Sequence, residues 1–167
     1  MKLLLVSMMF SLFTNPASEI PVQTLRTQLY DASKKSSAAN EFYSMMKNAD
    51  TASPLHLGYK AMAEFMKCYH SFNPVTKLSY FAKGKTDLDH AISVELENIE
   101  LRYLRFTVQT NIPFFLNYSS SMNDDKNILI KNFSSVKDEE LKQMIAEFML
   151  NSDACSAEEK SAFQNRM

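Results

Sequence analysis

Arg102 and Arg105 stand three residues apart and Gln109 follows four further on, so a helix carries all three along one face. Two guanidinium groups and an amide suit an anion, because the arginine fork matches a carboxylate bidentately. Neither arginine has an acid three or four residues away in either direction, although local pairing is the ordinary answer to such charges on a surface helix. Two answers stay open. Either the arginines pair within the fold, with Asp87 or Asp89 on the preceding helix or Asp124 and Asp125 on the following one, or they face the carboxylate of a bound partner. Tyr80, Tyr103 and Tyr118 are the aromatic side chains that would wall such a groove, although aromatics at helical spacing are also ordinary core residues.

Other chemistries find less support. No GxSxG, HExxH or glycine-rich phosphate loop is present. Asp124-Asp125 and Glu139-Glu140 are adjacent, which on a helix turns their carboxylates about 100° apart. They read as first-turn acids that complement the helix dipole. Met62, Met66 and His70 follow at four-residue steps, a soft set suited to copper(I), yet methionine is a common filler of core gaps and His70 falls near a helix end. His56 and His90 are isolated, so the three histidines lack zinc-site spacing. No metal or cofactor is expected. Asn117-Tyr118-Ser119 and Asn132-Phe133-Ser134 are sequons that matter only in a host that glycosylates.

The elements that position these residues are helices. Only two glycines occur in 167 residues, which argues against hairpin turns, bulges and phosphate-cradling loops. A hydrophobic share of 46% over this length suffices for one domain with a core, read here as residues 18–167. The 18 basic and 19 acidic residues nearly balance, so bulk charge selects neither nucleic acid nor an anionic surface. Lys2, the apolar run from Leu3 to Phe13 and the stretch Thr14 to Ser18 follow the plan of a secretory signal peptide over residues 1–17. An exported, periplasmic or secreted protein is expected, with no stable membrane insertion after cleavage. Cys68 and Cys155 are the only thiols; export permits one disulfide, and small buried residues are the plainer reading.

Pro21 opens a first helix with Val22, Leu25, Leu29 and Tyr30 inward and Arg26 and Gln28 outward. Phe42, Met45 and Met46 mark a second. Ser53-Pro54 and Asn73-Pro74 each set a capping side chain before a proline suited to the first helical position, so two long helices start there. The first is apolar over much of its circumference and central; the second carries Val75, Leu78, Phe81, Leu88, Ala91 and Ile92 on its apolar side. Asn98 caps the next helix, which ends near Ile112-Pro113. Ser121 with Asp124, Ser135 with Asp138 and Ser156 with Glu159 have capping-box spacing. Gly58 and Gly84 fall inside helices, which implies close approach by a neighbouring helix.

Leu88-Asp89-His90-Ala91-Ile92-Ser93-Val94-Glu95-Leu96-Glu97-Asn98 resembles the second helix and exit turn of a tetratricopeptide repeat, with Gly84 at a small-residue position. Leu96 replaces the turn proline, and Cys68, Ser71 and Phe72 stand where the repeat has tryptophan, leucine and glycine. From Leu57 to Lys126 the chain also resembles a family of small exported bacterial proteins of unknown function. The resemblance implies an all-α fold of stacked antiparallel helical hairpins, a right-handed array of about seven helices. The function expected is non-enzymatic binding of a protein or peptide in a groove with a basic face, contacted through Arg102, Arg105, Gln109, Tyr80, Tyr103 and Tyr118. The alternatives are a small-ligand carrier and an envelope enzyme with a tertiary-assembled site.

Overall fold

The computed structural model describes residues 19–165, so the signal-peptide reading of residues 1–17 lies outside the described residues. Among the described residues the chain is all helical: α1 (Val22–Lys34), α2 (Ser36–Lys47), α3 (Pro54–His70), α4 (Pro74–Val94), α5 (Ile99–Asn111), α6 (Met122–Asn132), α7 (Glu139–Asn151) and α8 (Ala157–Gln164). Single 3-10 turns at Phe114–Leu116 and Phe133–Ser135 precede and follow α6.

Local chemistry sets most of these boundaries. Proline opens both α3 and α4, and the Asn73 side chain accepts the backbone N–H of Thr76. Asn98 accepts from Glu100 and Leu101 at the start of α5. Ser156 and Glu159 form the expected reciprocal capping box of α8. Ser53 and Ser121 make no cap hydrogen bond, and the cap of α7 is Asp138 itself, which accepts from the backbone N–H of Leu141. Ser135, read as that cap, sits instead in the 3-10 turn.

α3 is the central element and touches α1, α2, α4 and α5. Two histidines set its alignment with α1: at its start His56 Nε2–H donates to the Ile20 carbonyl at 2.8 Å, and at its end His70 Nε2–H donates to the Ala32 carbonyl at 2.7 Å. The two helices therefore run in the same direction. α4 returns antiparallel along α3, with Lys60 Nζ 3.4 Å from Asp87 and the Phe65 ring on Phe81. The fully buried core runs from Leu25 and Phe42 through Tyr59 and Leu88 to Leu101, Phe106 and Leu129, and ends in Ile145, Phe133 and Phe163.

Both helical glycines mark close crossings. A Cβ on Gly84 would lie 3.0 Å from the Ala61 carbonyl oxygen, and one on Gly58 would overlap Leu101 Cδ2 outright. Leu101 is fully buried, so swinging its Cδ2 aside disturbs close-packed neighbours such as Leu104 and carries a packing cost. Gly58→Ala should therefore lose about 1 kcal/mol or more in a denaturant melt, overpacking outweighing the roughly 1 kcal/mol gained in helix propensity.

The structure departs from the sequence reading at several side chains that matter below, and Tyr30, placed inward on α1, is exposed. Val75 and Leu78, placed on the apolar side of α4, are exposed, and the core contact of that helix begins at Phe81. The stretch Leu88–Asn98 that resembles the second helix and exit turn of a tetratricopeptide repeat lies in the C-terminal half of α4 and the turn into α5.

Candidate functional site

Arg102, Arg105 and Gln109 do share one face of α5, and that face is turned inward: they are 8%, 8% and 4% exposed. Asp125, fully buried on α6, answers both guanidinium groups. Arg105 grips it through Nε and Nη2 at 2.7 and 2.8 Å, and Arg102 Nη1 donates to its Oδ1 at 2.8 Å. Arg105 Nη1 also reaches Asp89 on α4 at 3.1 Å, and Arg102 closes on the Leu96 carbonyl through Nε and Nη2. Of the internal acids considered, Asp89 and Asp125 are the partners; Asp87 pairs with Lys60 instead. Burial opposes the charge on Arg105, but its bonds to Asp125 and Asp89 outweigh that and raise its pKa above the ordinary arginine range.

The tyrosines divide. Tyr118 is buried, stacks on Phe65, meets Phe81 edge-on and donates its hydroxyl to Asp89 at 2.8 Å. Asn117, with φ 48°, takes the left-handed turn that delivers it there. Tyr103 is buried with its edge on Phe148, and burial followed by the Glu147 and Glu100 charges pushes its phenol up to about 12. Both belong to the core. Tyr80 alone of the three stays at the surface, half-buried and edge-to-face with Tyr43 of α2 at 5.6 Å. The structure thus joins Arg102, Arg105 and Tyr118 in one network and sets Tyr80 apart on another face.

A second charged network was not anticipated. Arg26, expected to point outward, is 3% exposed. It makes a two-point bond to Glu100 of α5 at 2.8 and 2.9 Å and continues to Asp138 and Glu140 at the head of α7. Tyr59 of α3 donates to the same Glu100 at 2.6 Å. One guanidinium therefore ties α1 to α5 and α7. Burial works against its charge, and the bonds to Glu100, Asp138 and Glu140 overcome that and raise its pKa. The Arg26 bond, followed by the Leu141 N–H, holds the Asp138 carboxyl below its usual range.

The third feature was also missed. Glu64 on α3 is 5% exposed, and its Oε2 has no hydrogen-bond partner. Burial raises its pKa, with Lys83 the largest opposing influence. Its charge and burial together raise the Tyr43 phenol, burial being the larger cause. Lys67 lies over the rings of both Tyr43 and Tyr80 at 5.9 and 5.7 Å, and Lys83 over Tyr80 at 5.9 Å. Gln109 is buried with both atoms of its amide unpaired, and His56 Nδ1 is buried without a hydrogen-bond partner.

Two shallow cavities, of about 150 and 240 Å³, lie beside His56 and beside Asn151. Both are smaller than the usual pocket for a small organic ligand, roughly 300 Å³ and upward. Cys68 is half-buried and Cys155 buried, both as free thiols, and burial raises the pKa of each. Among the described residues no group of three or more His, Cys, Asp or Glu is placed to hold a metal, and no helix is long and apolar enough to cross a membrane. No family model matches the chain, and neither a curated protein nor a solved structure matches it.

Proposed function

We propose that the chain is a non-catalytic binding scaffold of the cell envelope or periplasm, a tetratricopeptide-like right-handed array of helical hairpins that holds a protein or peptide segment along the seam of α2, α3 and α4. The observation that carries this reading is the Glu64 carboxyl, buried with Oε2 unanswered beside the Tyr43–Tyr80 pair. An unmet buried polar atom costs roughly 1–3 kcal/mol. Oε2 is closed to solvent in this structure, so a donor on a bound segment relieves that cost only when the side chains over Glu64 shift aside; a peptide backbone offers such donors along its length. The two tyrosines supply flat contact area. The basic side chains of this groove are Lys67 and Lys83, because Arg102 and Arg105 are already taken by Asp125 and Asp89. Export rests on the apolar run from Leu3 to Phe13 and its flanks.

The sign of the pH effect makes Glu64 testable. Its folded pKa lies above the ordinary 4.5, so the native state resists ionisation and loses stability as pH rises through and above that value. Glu64→Gln should therefore match the wild type at acid pH and exceed it at neutral pH by about 1 kcal/mol, read from paired melts. A Glu64→Gln protein less stable than the wild type at neutral pH would mean that the carboxylate is already satisfied, and the groove reading would fall.

A further inference from the structure

The end of the molecule where α3 turns into α4 carries apolar surface that none of the described elements covers. Phe72 is 100% exposed, Val75 77%, Tyr69 67% and Leu78 54%. Tyr69 is at the end of α3, Phe72 in the turn and Val75 and Leu78 in the first turns of α4, so all four lie close to one corner. The His70 bond to the Ala32 carbonyl brings the end of α1 to the same corner, and with it Tyr30, 64% exposed, and the exposed Lys34 and Lys35. Lys77 adds a third cation on α4. From Phe65 to Thr86 there is no acid at all, and Asp31 is the one carboxylate between Tyr30 and Asn40. The chain as a whole is slightly acidic, so this corner is a local basic and apolar exception.

We propose that this corner docks peripherally on an anionic lipid surface. Phe72, Val75, Leu78 and Tyr69 enter the boundary between headgroups and acyl chains, while Lys34, Lys35 and Lys77 meet the phosphates. Shape favours a lipid over a protein partner. A fully exposed phenylalanine on a turn is a protrusion, which a fluid bilayer accepts anywhere but a protein accepts only in a matching socket. Neither of the two cavities described above is a purely apolar socket, since Asp50 and His56 line one and Asn151 and Asp153 the other. Two copies facing each other through this corner would also oppose like charges. Docking here leaves the Glu64 seam on a different face of α4, and neither proposal rests on the other.

The chain contains no tryptophan, so Phe72→Trp and, at the far end of α4, Val94→Trp each give a single reporter in the full-length protein. The probes are vesicles of phosphatidylcholine alone and of phosphatidylcholine with about one third phosphatidylglycerol. The expected result is a blue shift and quenching by brominated lipid at position 72, with no change at position 94, on the anionic vesicles. The apolar run from Leu3 to Phe13 is common to both proteins, so the difference between them reports the corner. In sedimentation, Lys34→Gln/Lys35→Gln/Lys77→Gln should lower binding to the anionic vesicles by about fivefold per lysine removed, with an unchanged melting temperature. Equal responses at 72 and 94, or equal binding to both vesicle types, would overturn the proposal. So would a position-72 signal that responds to an acidic peptide or to protein concentration and not to lipid, since the occupant would then be a protein.

Discussion

Asp125→Ala is expected to cost about 3–5 kcal/mol and to lower the melting temperature by roughly 10 °C or more, because it strands two guanidinium groups in a buried site. Asp125 is fully buried and holds Arg102 and Arg105 together. With it gone, Arg105 keeps only the partly exposed Asp89 and Arg102 only the Leu96 carbonyl. Asp124→Ala, one residue away on the exposed side of α6, is the control and should change stability by no more than about 0.5 kcal/mol. A mild effect at Asp125, comparable to that control, would mean that the arginines answer to something other than this carboxylate, and the case for treating them as structural would be lost.

Arg26→Met should be the second most damaging change, again about 3–5 kcal/mol, since it leaves the buried Glu100 with the Tyr59 hydroxyl as its remaining side-chain partner. This loss has a pH signature. Asp138 has its pKa depressed by Arg26, so its contribution is fully present above the ordinary carboxylate pKa and is lost as pH falls through the depressed folded value. The gap between wild type and Arg26→Met should be widest near neutral pH and should narrow below about pH 4. Replacing Arg26 and Glu100 together by apolar residues of similar volume should recover much of the loss, because the penalty lies in the stranded charge. A double variant as unstable as the single one would point to packing by the Arg26 stem instead.

The helices were legible because their signals are local. The prolines of Ser53-Pro54 and Asn73-Pro74, the Asn73 and Asn98 caps and the Ser156–Glu159 box each act within four residues. The Arg26 network was not, because its bonds to Glu100 and Asp138 span large separations, whereas Asp89 and Asp125 already stood among the internal acids open to Arg102 and Arg105. One signal was present and carried more than it was given. Arg26 lies four residues after Val22 and three before Leu29, Asp125 lies three and four before Ile128 and Leu129, and Glu64 lies three after Ala61 and four before Cys68. Each charge sits on the apolar stripe of its own helix, where a carboxylate or guanidinium is buried and needs a distant partner. The opposite error occurred at Val75 and Leu78, where apolar periodicity ran past the end of the covered surface.

That contrast divides the polar chemistry of the molecule. Arg26, Arg102 and Arg105 close internal networks that fix α1, α4, α5, α6 and α7 relative to one another. Glu64, beside the Tyr43–Tyr80 pair, keeps a carboxylate oxygen that the fold leaves unpaired. The measurement that tests this division most directly is photocrosslinking in the host's envelope fraction, with a photoreactive residue placed at Tyr80 or, as a control, at the exposed Glu158 of α8. A discrete partner captured at position 80, absent at position 158 and weakened by Glu64→Gln in a protein of unchanged fold, is the predicted result. The same adducts at both positions, or capture at 80 indifferent to Glu64, would contradict a binding seam between α2, α3 and α4.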